Sequence, residues 1–332
     1  MSSVPDAPTA PEPPAGNNGI PAGSRTVAVL TNVRRPNAIE AAARFVAGLT
    51  EHGLVSLLPA YDIEQMGARV DGLSVSTLDT RHPIADCELA VVFGGDGTIL
   101  RGSEWALNRD IPLLGVNLGH VGFLAEAEAT EIDAVITGVV DRAWTIEKRS
   151  TAQITVRDRP LLEGGDVVWT SFAINECSVE KAAREKMIEV LIAIDDRPLS
   201  RWACDGVLVS TSTGSTAYAF SAGGPVMWPD VESLLVVPLS AHALFARSLV
   251  VGRDSKVTVR MLERDDNTGV IWADGRRSVN LTPGMEIEVV RGEHDLRMAR
   301  LSPAPFTDRL VRKFDLVVDG WRGTAERRER RH

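Results

Sequence analysis

Hydrophobic and polar positions first settle into a rhythm at Arg25. "RTVAVLTN" is a short β-rich run, and "AIEAAARFVAGLTEHG" has the spacing of a one-faced helix with Gly53 as its C-cap. "LVSLLPA" predicts another strand, "ELAVVF" a third, and a helical stretch follows from about Ile99 to Asn108. "IPLLGVN" continues as a strand and "TEIDAVITGVVD" as a helix. Strands alternating with helices at this spacing predict a parallel sheet with helices on its faces, a Rossmann-like α/β domain over 25–142. Ligands of such folds bind at the carboxyl ends of the strands.

The texture turns to β after residue 142. "TAQITVRD", "DVVWTSFAINECSVE", "MIEVLIAIDD", "DGVLVSTSTGSTA", "KVTVRML", "TGVIWADG" and "EIEVVRG" are short runs separated by turn signals. They predict a mostly antiparallel β domain over 143–302. A closing segment, 303–332, is predicted helical from Thr307 to about Phe314 and returns to the N-terminal domain before a basic tail, "ERRERRH".

Composition narrows the class. The 332 residues are 44% hydrophobic and 24% charged, as in a soluble globular protein, and the net charge of −9 argues against nucleic acid or an anionic membrane as partner. Residues 1–24 hold six prolines, two acidic residues and no basic one, which reads as a disordered tail and neither a signal nor a transit peptide. Cys87, Cys177 and Cys204 form no metal-binding spacing and no disulfide framework, so a reducing, cytoplasmic setting is expected.

Four stretches carry chemistry. In "GGDGT", Gly94, Gly95 and Gly97 follow a buried strand, permit positive φ and leave N–H groups uncovered for phosphate at a helix start. The spacing fits neither GxxxxGK[ST] nor GxGxxG, since Leu100 stands where the third glycine would be. Asp96 is then a helix cap, a general base toward a hydroxyl, or a magnesium ligand. "GVNLGHVGFLAE" puts Gly115, Gly119 and Gly122 after the next strand, where a second glycine loop can face the first. "NE", Asn175 and Glu176, pairs an amide with an accepting carboxylate suited to the two hydroxyls of a sugar. "DGVLVSTSTGSTAYAFSAGGP", from Asp205 to Pro225, carries eight hydroxyl side chains around a Gly-Ser-Thr turn.

In this order and spacing the four stretches resemble the NAD kinase family, the bacterial inorganic polyphosphate/ATP-NAD kinases. "SAGGP", "PLSAHALFARSLVV" and "ADGR" (273–276) add to the likeness, which covers about residues 25–322. The resemblance implies transfer of a phosphoryl group from ATP or polyphosphate to the 2′-hydroxyl of the adenosine ribose of NAD. It implies Asp96 as proton acceptor with Gly97 beside it, and Gly94, Gly95, Gly97 and Thr98 as the phosphate loop. It further implies contacts to NAD from Arg101, Asn175, Glu176, Lys186, Asp205, Thr216, Ala217, Tyr218, Ser221 and Arg276. Mg²⁺ is expected on the donor phosphates with no metal site assigned to the protein, and a homodimer or homotetramer is expected. The chain departs from the family pattern at Ser212, where proline is usual, at Ala203, where a basic residue is usual with Arg201 nearby, and at "SAHAL". A lipid kinase of the diacylglycerol or sphingosine type also carries GGDGT, but its "GTxND" element is missing here. A non-catalytic NAD-binding sensor is the other alternative.

Overall fold

The computed structural model describes residues 20, 23–78, 87–118, 122–125, 127–128, 131–263, 267–302 and 305–316. Most of the proline-rich head, Gly119 and Glu126 of the second glycine loop, and the arginine-rich tail lie outside the described residues.

Five strands build the parallel part of the first sheet: β1 (Thr26–Thr31), β2 (Val55–Leu58), β3 (Val75–Thr77), β4 (Cys87–Phe93) and β5 (Leu113–Asn117). They lie in the order β3-β2-β1-β4-β5, with the two-residue β6 (Ala127–Glu128) pairing beside β5. β4 is central, and Leu89 to Phe93 are fully buried because helices cover both faces. On one face lie α1 (Pro36–Glu51) and α4 (Ile132–Val140), whose Phe45, Val46, Leu49, Ile132 and Val135 pack with Val91 and Phe93. On the other lies α3 (Asp96–Leu107), whose Ile99, Leu100 and Ala106 pack with Ala90 and Val92. Proline opens α1 at its first helical position, where its missing N–H has no intrahelical acceptor to lose. One short helix lies outside the predicted set, α2 (Ala60–Met66), following β2.

Two further strands reach this sheet from the second half of the chain. β7 (Thr145–Arg149) is antiparallel to β20 (Leu296–Arg300), and β20 runs parallel to β5, so the sheet is mixed. Between them the chain forms a sandwich of two six-stranded antiparallel sheets. One has the order β15-β14-β13-β10-β17-β18 and the other β12-β11-β16-β19-β8-β9. The first of these sheets holds β10 (Glu176–Lys181), β13 (Gly206–Ser210), β14 (Leu234–Leu239), β15 (Leu249–Val251), β17 (Gly269–Ala273) and β18 (Arg277–Leu281). The other holds β8 (Ala152–Arg157), β9 (Val167–Ala173), β11 (Ile188–Ile194), β12 (Arg197–Cys204), β16 (Val257–Met261) and β19 (Glu286–Arg291). Alternating residues of both, among them Val179, Val207, Ile154, Val190, Trp202 and Val259, share one core.

The long run "DVVWTSFAINECSVE" is two strands in different sheets. The chain leaves β9, turns at Ile174–Asn175 and enters β10 across the sandwich. At such a corner, backbone N–H groups lose their ladder partners and need others. The short α5 (Tyr218–Ser221) follows β13 through a 3₁₀ turn at Thr213–Thr216, and α6 (Phe306–Phe314) closes the described chain. Among the described residues no helix is long and apolar enough to cross a membrane.

Candidate functional site

The glycine turn joins the carboxyl end of β4 to α3. The N–H of Gly94 continues the strand ladder to Val116 O at 3.0 Å, and Thr98 and Ile99 N–H close the first helical turn on Gly95 O at 2.8 and 3.0 Å. None of Gly94, Gly95 and Gly97 has positive φ, so conformational permission is not why they are glycine. A β-carbon on Gly94 would collide with the Thr98 side chain, whereas Gly95 and Gly97 face open space. Their missing side chains leave room for a ligand above the helix start.

Asp96, in the first turn of α3, meets the second glycine loop directly. A β-carbon on Gly122 would overlap the Asp96 carboxylate, its Cγ only 2.9 Å away, and the Leu124 N–H lies 3.5 Å from Asp96 Oδ1. The two loops follow adjacent parallel strands, β4 and β5, so the carboxylate is seated in the crevice between them. His120 and Val121, which complete that loop in the sequence, lie outside the described residues.

Beside the turn opens a cavity of about 710 Å³ lined by Gly97, Thr98 and Arg101 together with Asn32, Arg34 and Asp62. Asn32 Nδ2 donates to Thr98 Oγ1 at 3.3 Å, which ties the end of β1 to the turn. Asp62 is buried and accepts the Thr31 N–H at 3.0 Å. Burial raises its carboxyl above the usual range, opposed by that N–H and by the charge of Arg101. Sequence reasoning missed Asn32, Arg34 and Asp62, since they carry no motif and come from two separate places, the segment after β1 and the helix α2.

The NE pair sits at the sandwich corner. Asp274, whose side chain is fully buried, accepts the N–H groups of Ile174 at 2.9 Å, Asn175 at 2.8 Å and Glu176 at 3.3 Å. It returns its own N–H to Glu176 O at 2.9 Å, and Arg277 Nη2 donates to its Oδ2 at 3.0 Å. The hydroxyl-rich stretch supports the corner from below: Thr211 Oγ1 donates to Ile174 O at 2.6 Å and Ser210 Oγ to Asn175 O at 3.1 Å. Gly214 lies so close to the Asn175 carbonyl that no side chain would fit there. Ser212, the position of the missing proline, donates its hydroxyl to Val231 O.

Glu176 does not sit there as an accepting carboxylate. Burial and the neighbouring charge of Asp274 push it up to about 8, against the pull of the Tyr218 N–H, so it carries a proton at neutral pH. Its Oε2 is buried without a hydrogen-bond partner. A protonated carboxyl can donate to a ribose hydroxyl as well as accept from one. Tyr218 is partly exposed nearby, and burial followed by the charges of Glu180, Glu176 and Asp205 raises its phenol. Asp205 pairs with Lys181 Nζ at 2.5 Å, and that contact chiefly holds its carboxyl below the usual range. Thr216 and Ala217 are half-buried just before Tyr218, Ser221 is exposed at the end of α5, and Lys186 is exposed on the 182–187 connection.

Two links hold the halves of the site in register. Glu104, two turns along α3 from Asp96, receives Arg276 Nε and Arg277 Nη2, each at 3.2 Å. Arg277 also lies 4.1 Å over the Phe172 ring. Arg276 is thus anchored to the glycine-turn helix. The second link is aromatic: Phe314 and Phe306 of α6 stand 5.7 and 6.0 Å from Phe123, next to Gly122, while Phe314 stacks on Phe220 of α5 at 4.5 Å.

Residues 27–143 match the ATP-NAD kinase N-terminal domain and residues 174–301 the ATP-NAD kinase C-terminal domain. An NAD kinase of Cutibacterium acnes is 48% identical over 305 residues, covering 92% of this chain and 94% of that protein. NAD kinase 2 of Streptomyces coelicolor is 50% identical over 302 residues, 90% of this chain and 97% of its own. A solved NAD kinase from Archaeoglobus fulgidus in complex with ATP superposes with TM-score 0.64 at 25% identity, over 88% of this chain and all of that one. Yeast NADH kinase complexed with NADH shares the fold, with TM-score 0.79 at 21% identity over 90% of this chain and 89% of that one. These relatives give no support to a lipid kinase.

Substituting Gly122 by alanine is expected to leave the protein folded by circular dichroism. By displacing the Asp96 carboxylate it should lower turnover by roughly 10²-fold, the cost of about an ångström of misplacement. Glu176 supplies a pH signature. Its folded value lies above the ordinary 4.5, so the native state binds the extra proton, and stability from this group falls as pH rises from about 4.5 to 8. Chemical denaturation of the ligand-free protein across that window should show the decline, and Glu176→Gln should flatten it.

Proposed function

The chain belongs to the ATP-NAD kinase family, and we propose that it makes NADP by using Asp96 to accept the proton of the ribose 2′-hydroxyl of NAD. The observation that carries this reading is the tie between Glu104 and Arg276–Arg277. It holds the helix that begins with Asp96 against the turn whose Asp274 supports Asn175 and Glu176. A base on one side and a sugar-reading pair on the other then face a single substrate.

A ribose hydroxyl is a weak nucleophile, and its proton must leave as the new bond to phosphorus forms. In the proposed reaction the 2′-oxygen bonds to the terminal phosphorus of the donor, the bridging P–O bond breaks, and its electrons leave with the shortened donor. Asp96 takes the proton and releases it to water. Asn175 and the protonated Glu176 hold the ribose, while Tyr218, with Thr216, Ala217 and Ser221, lines the adenosine side. Asp205 and Lys186 contact the remainder of the dinucleotide, and Arg276 reaches it from the Glu104 tie.

The cavity beside Gly97 and Thr98 takes the donor, with Arg101 and Arg34 set against its phosphates. ATP is the donor, and a polyphosphate chain offers the same groups to the same arginines. Among the described residues no three His, Cys, Asp or Glu side chains gather as a metal site. A divalent cation would be carried by the donor phosphates, where it would neutralise developing charge. Cys87, Cys177 and Cys204 are unpaired, in keeping with a reducing cytoplasm. We place the contact of a homo-oligomer at the 240–248 loop, where Leu244 is fully exposed and Phe245 half-exposed beside the outer edge of β15.

Asp96→Asn is expected to fold and bind NAD but to form NADP(H) roughly 10²–10⁴-fold more slowly with Mg²⁺ and ATP. Near-normal turnover would remove Asp96 as the base. If the native protein binds NAD yet transfers nothing from ATP or polyphosphate, it is a sensor instead. Sedimentation should show a dimer or tetramer that Leu244→Asp dissociates, and a monomeric native protein would overturn that assignment.

A further inference from the structure

The cavity beside the glycine turn runs across the carboxyl ends of three neighbouring parallel strands, β4, β1 and β2. Gly97, Arg101 and Trp105 recur every fourth residue along one face of α3, which follows β4. Asn32 and Arg34 follow β1, and Pro59, Tyr61 and Asp62 follow β2. β2 lies two strands from β4, about 10 Å at the usual strand spacing. A volume of about 710 Å³ falls in the range that holds a whole nucleotide, more than a short run of phosphates needs.

The two ends of this cavity differ in chemistry. Arg34 and Arg101 are exposed, and among the described residues neither guanidinium has a salt-bridge partner. Asp62, at the β2 end, is the one acidic residue of the described lining. Its Oδ2 accepts the Thr31 N–H at 3.0 Å. Its Oδ1 is neither hydrogen-bonded among the described residues nor sealed from solvent, and the cavity is the space Asp62 borders. The charge of Arg101 acts on Asp62, yet no salt bridge joins the two. A carboxylate oxygen only accepts, so it repels a phosphate and takes an N–H or O–H. The nucleoside of ATP carries both, as base amino group and ribose hydroxyls, and an inorganic phosphate chain carries neither. Tyr61, 60% exposed, and Trp105 offer aromatic surface to the same end.

We propose, resting on the donor assignment made for this cavity, that Asp62 is a specificity-determining residue for the phosphoryl donor. Its open oxygen receives the nucleoside of ATP, and its charge turns away the further phosphates of an inorganic chain. Bracing β1 through the Thr31 N–H occupies the other oxygen and is indifferent to which donor is bound.

The test is NADP(H) formation by the full chain with saturating NAD and Mg²⁺. ATP and linear polyphosphate are compared as donors, and polyphosphate also as an inhibitor of the ATP reaction. Asp62→Asn keeps an acceptor for the Thr31 N–H. It is expected to raise KM for ATP about 10-fold, the loss of one charge-assisted bond, with kcat near native. The KM or inhibition constant of polyphosphate should stay the same or fall. If Asp62→Asn does not fold, Tyr61→Ala at its exposed position should raise KM for ATP alone. Arg101→Gln should weaken both donors. A native protein that already shows the raised KM with 2′,3′-dideoxy-ATP assigns the contact to the ribose, and a native KM assigns it to the base. A loss confined to kcat, or equal losses with both donors, would overturn the proposal and leave Asp62 a brace. A native protein that forms no NADP(H) from either donor fails the kinase reading instead. Calorimetric titration with NAD present then decides Asp62. A non-hydrolysable ATP analogue that binds more weakly to Asp62→Asn, beside unweakened tripolyphosphate, upholds the assignment; equal changes, or no binding to the native protein, sink it.

Discussion

One buried carboxylate organises this molecule. Where the chain crosses from β9 to β10, three consecutive N–H groups leave one sheet before the next takes them up, and Asp274 receives all three. An unpaired buried N–H costs on the order of 1–3 kcal/mol, so a corner with three of them would not hold its shape alone. Because Asp274 is itself buried and charged, it needs a cation, and Arg277 supplies one. Arg277 then reaches Glu104 on the helix that begins with Asp96. The position of Asp96 relative to Asn175 and Glu176 follows from this chain of contacts.

The same carboxylate sets the electrostatics of the site. Glu176 keeps its proton first because it is itself buried and then because the charge of Asp274 stands beside it. A residue that would be an acceptor on an open surface becomes a donor in this corner. Asp205, near the surface and paired with Lys181, is shifted the opposite way. Two acidic residues within reach of the same tyrosine therefore carry different protonation states at neutral pH, and the difference comes from depth and neighbours.

Glycine serves two purposes around Asp96. At Gly94 and Gly122 the side chain is missing because another side chain occupies its place: Thr98 at the first, Asp96 itself at the second. At Gly95 and Gly97 nothing occupies it, and the space beside the helix start is open. The aromatic contacts of α6 bear on the same region from outside, linking Phe123 beside Gly122 to Phe220 on α5. A segment remote in sequence thereby braces both walls of the crevice.

Much of the fold was legible in the sequence because its strands are short, strongly apolar and punctuated. β1, β2, β4 and β5 and helices α1, α3 and α4 answer to periodicity alone, and the four motifs in order were enough to point to the family. Periodicity could not say that "DVVWTSFAINECSVE" serves two sheets, since a strand looks the same whichever neighbour it pairs with. Nor could it place β20 beside β5, because that pairing joins segments far apart in the chain. Asn32, Arg34, Asp62 and Glu104 carry no local signal, and the ADGR stretch marks Asp274 without saying what it holds, as their roles lie in contacts between distant segments. Residue types and their spacing determined what chemistry the chain can perform. The tertiary structure decided which side chains share a site, which glycines make room for a ligand, and whether Glu176 holds its proton, because burial and charge proximity exist only once the chain has closed on itself.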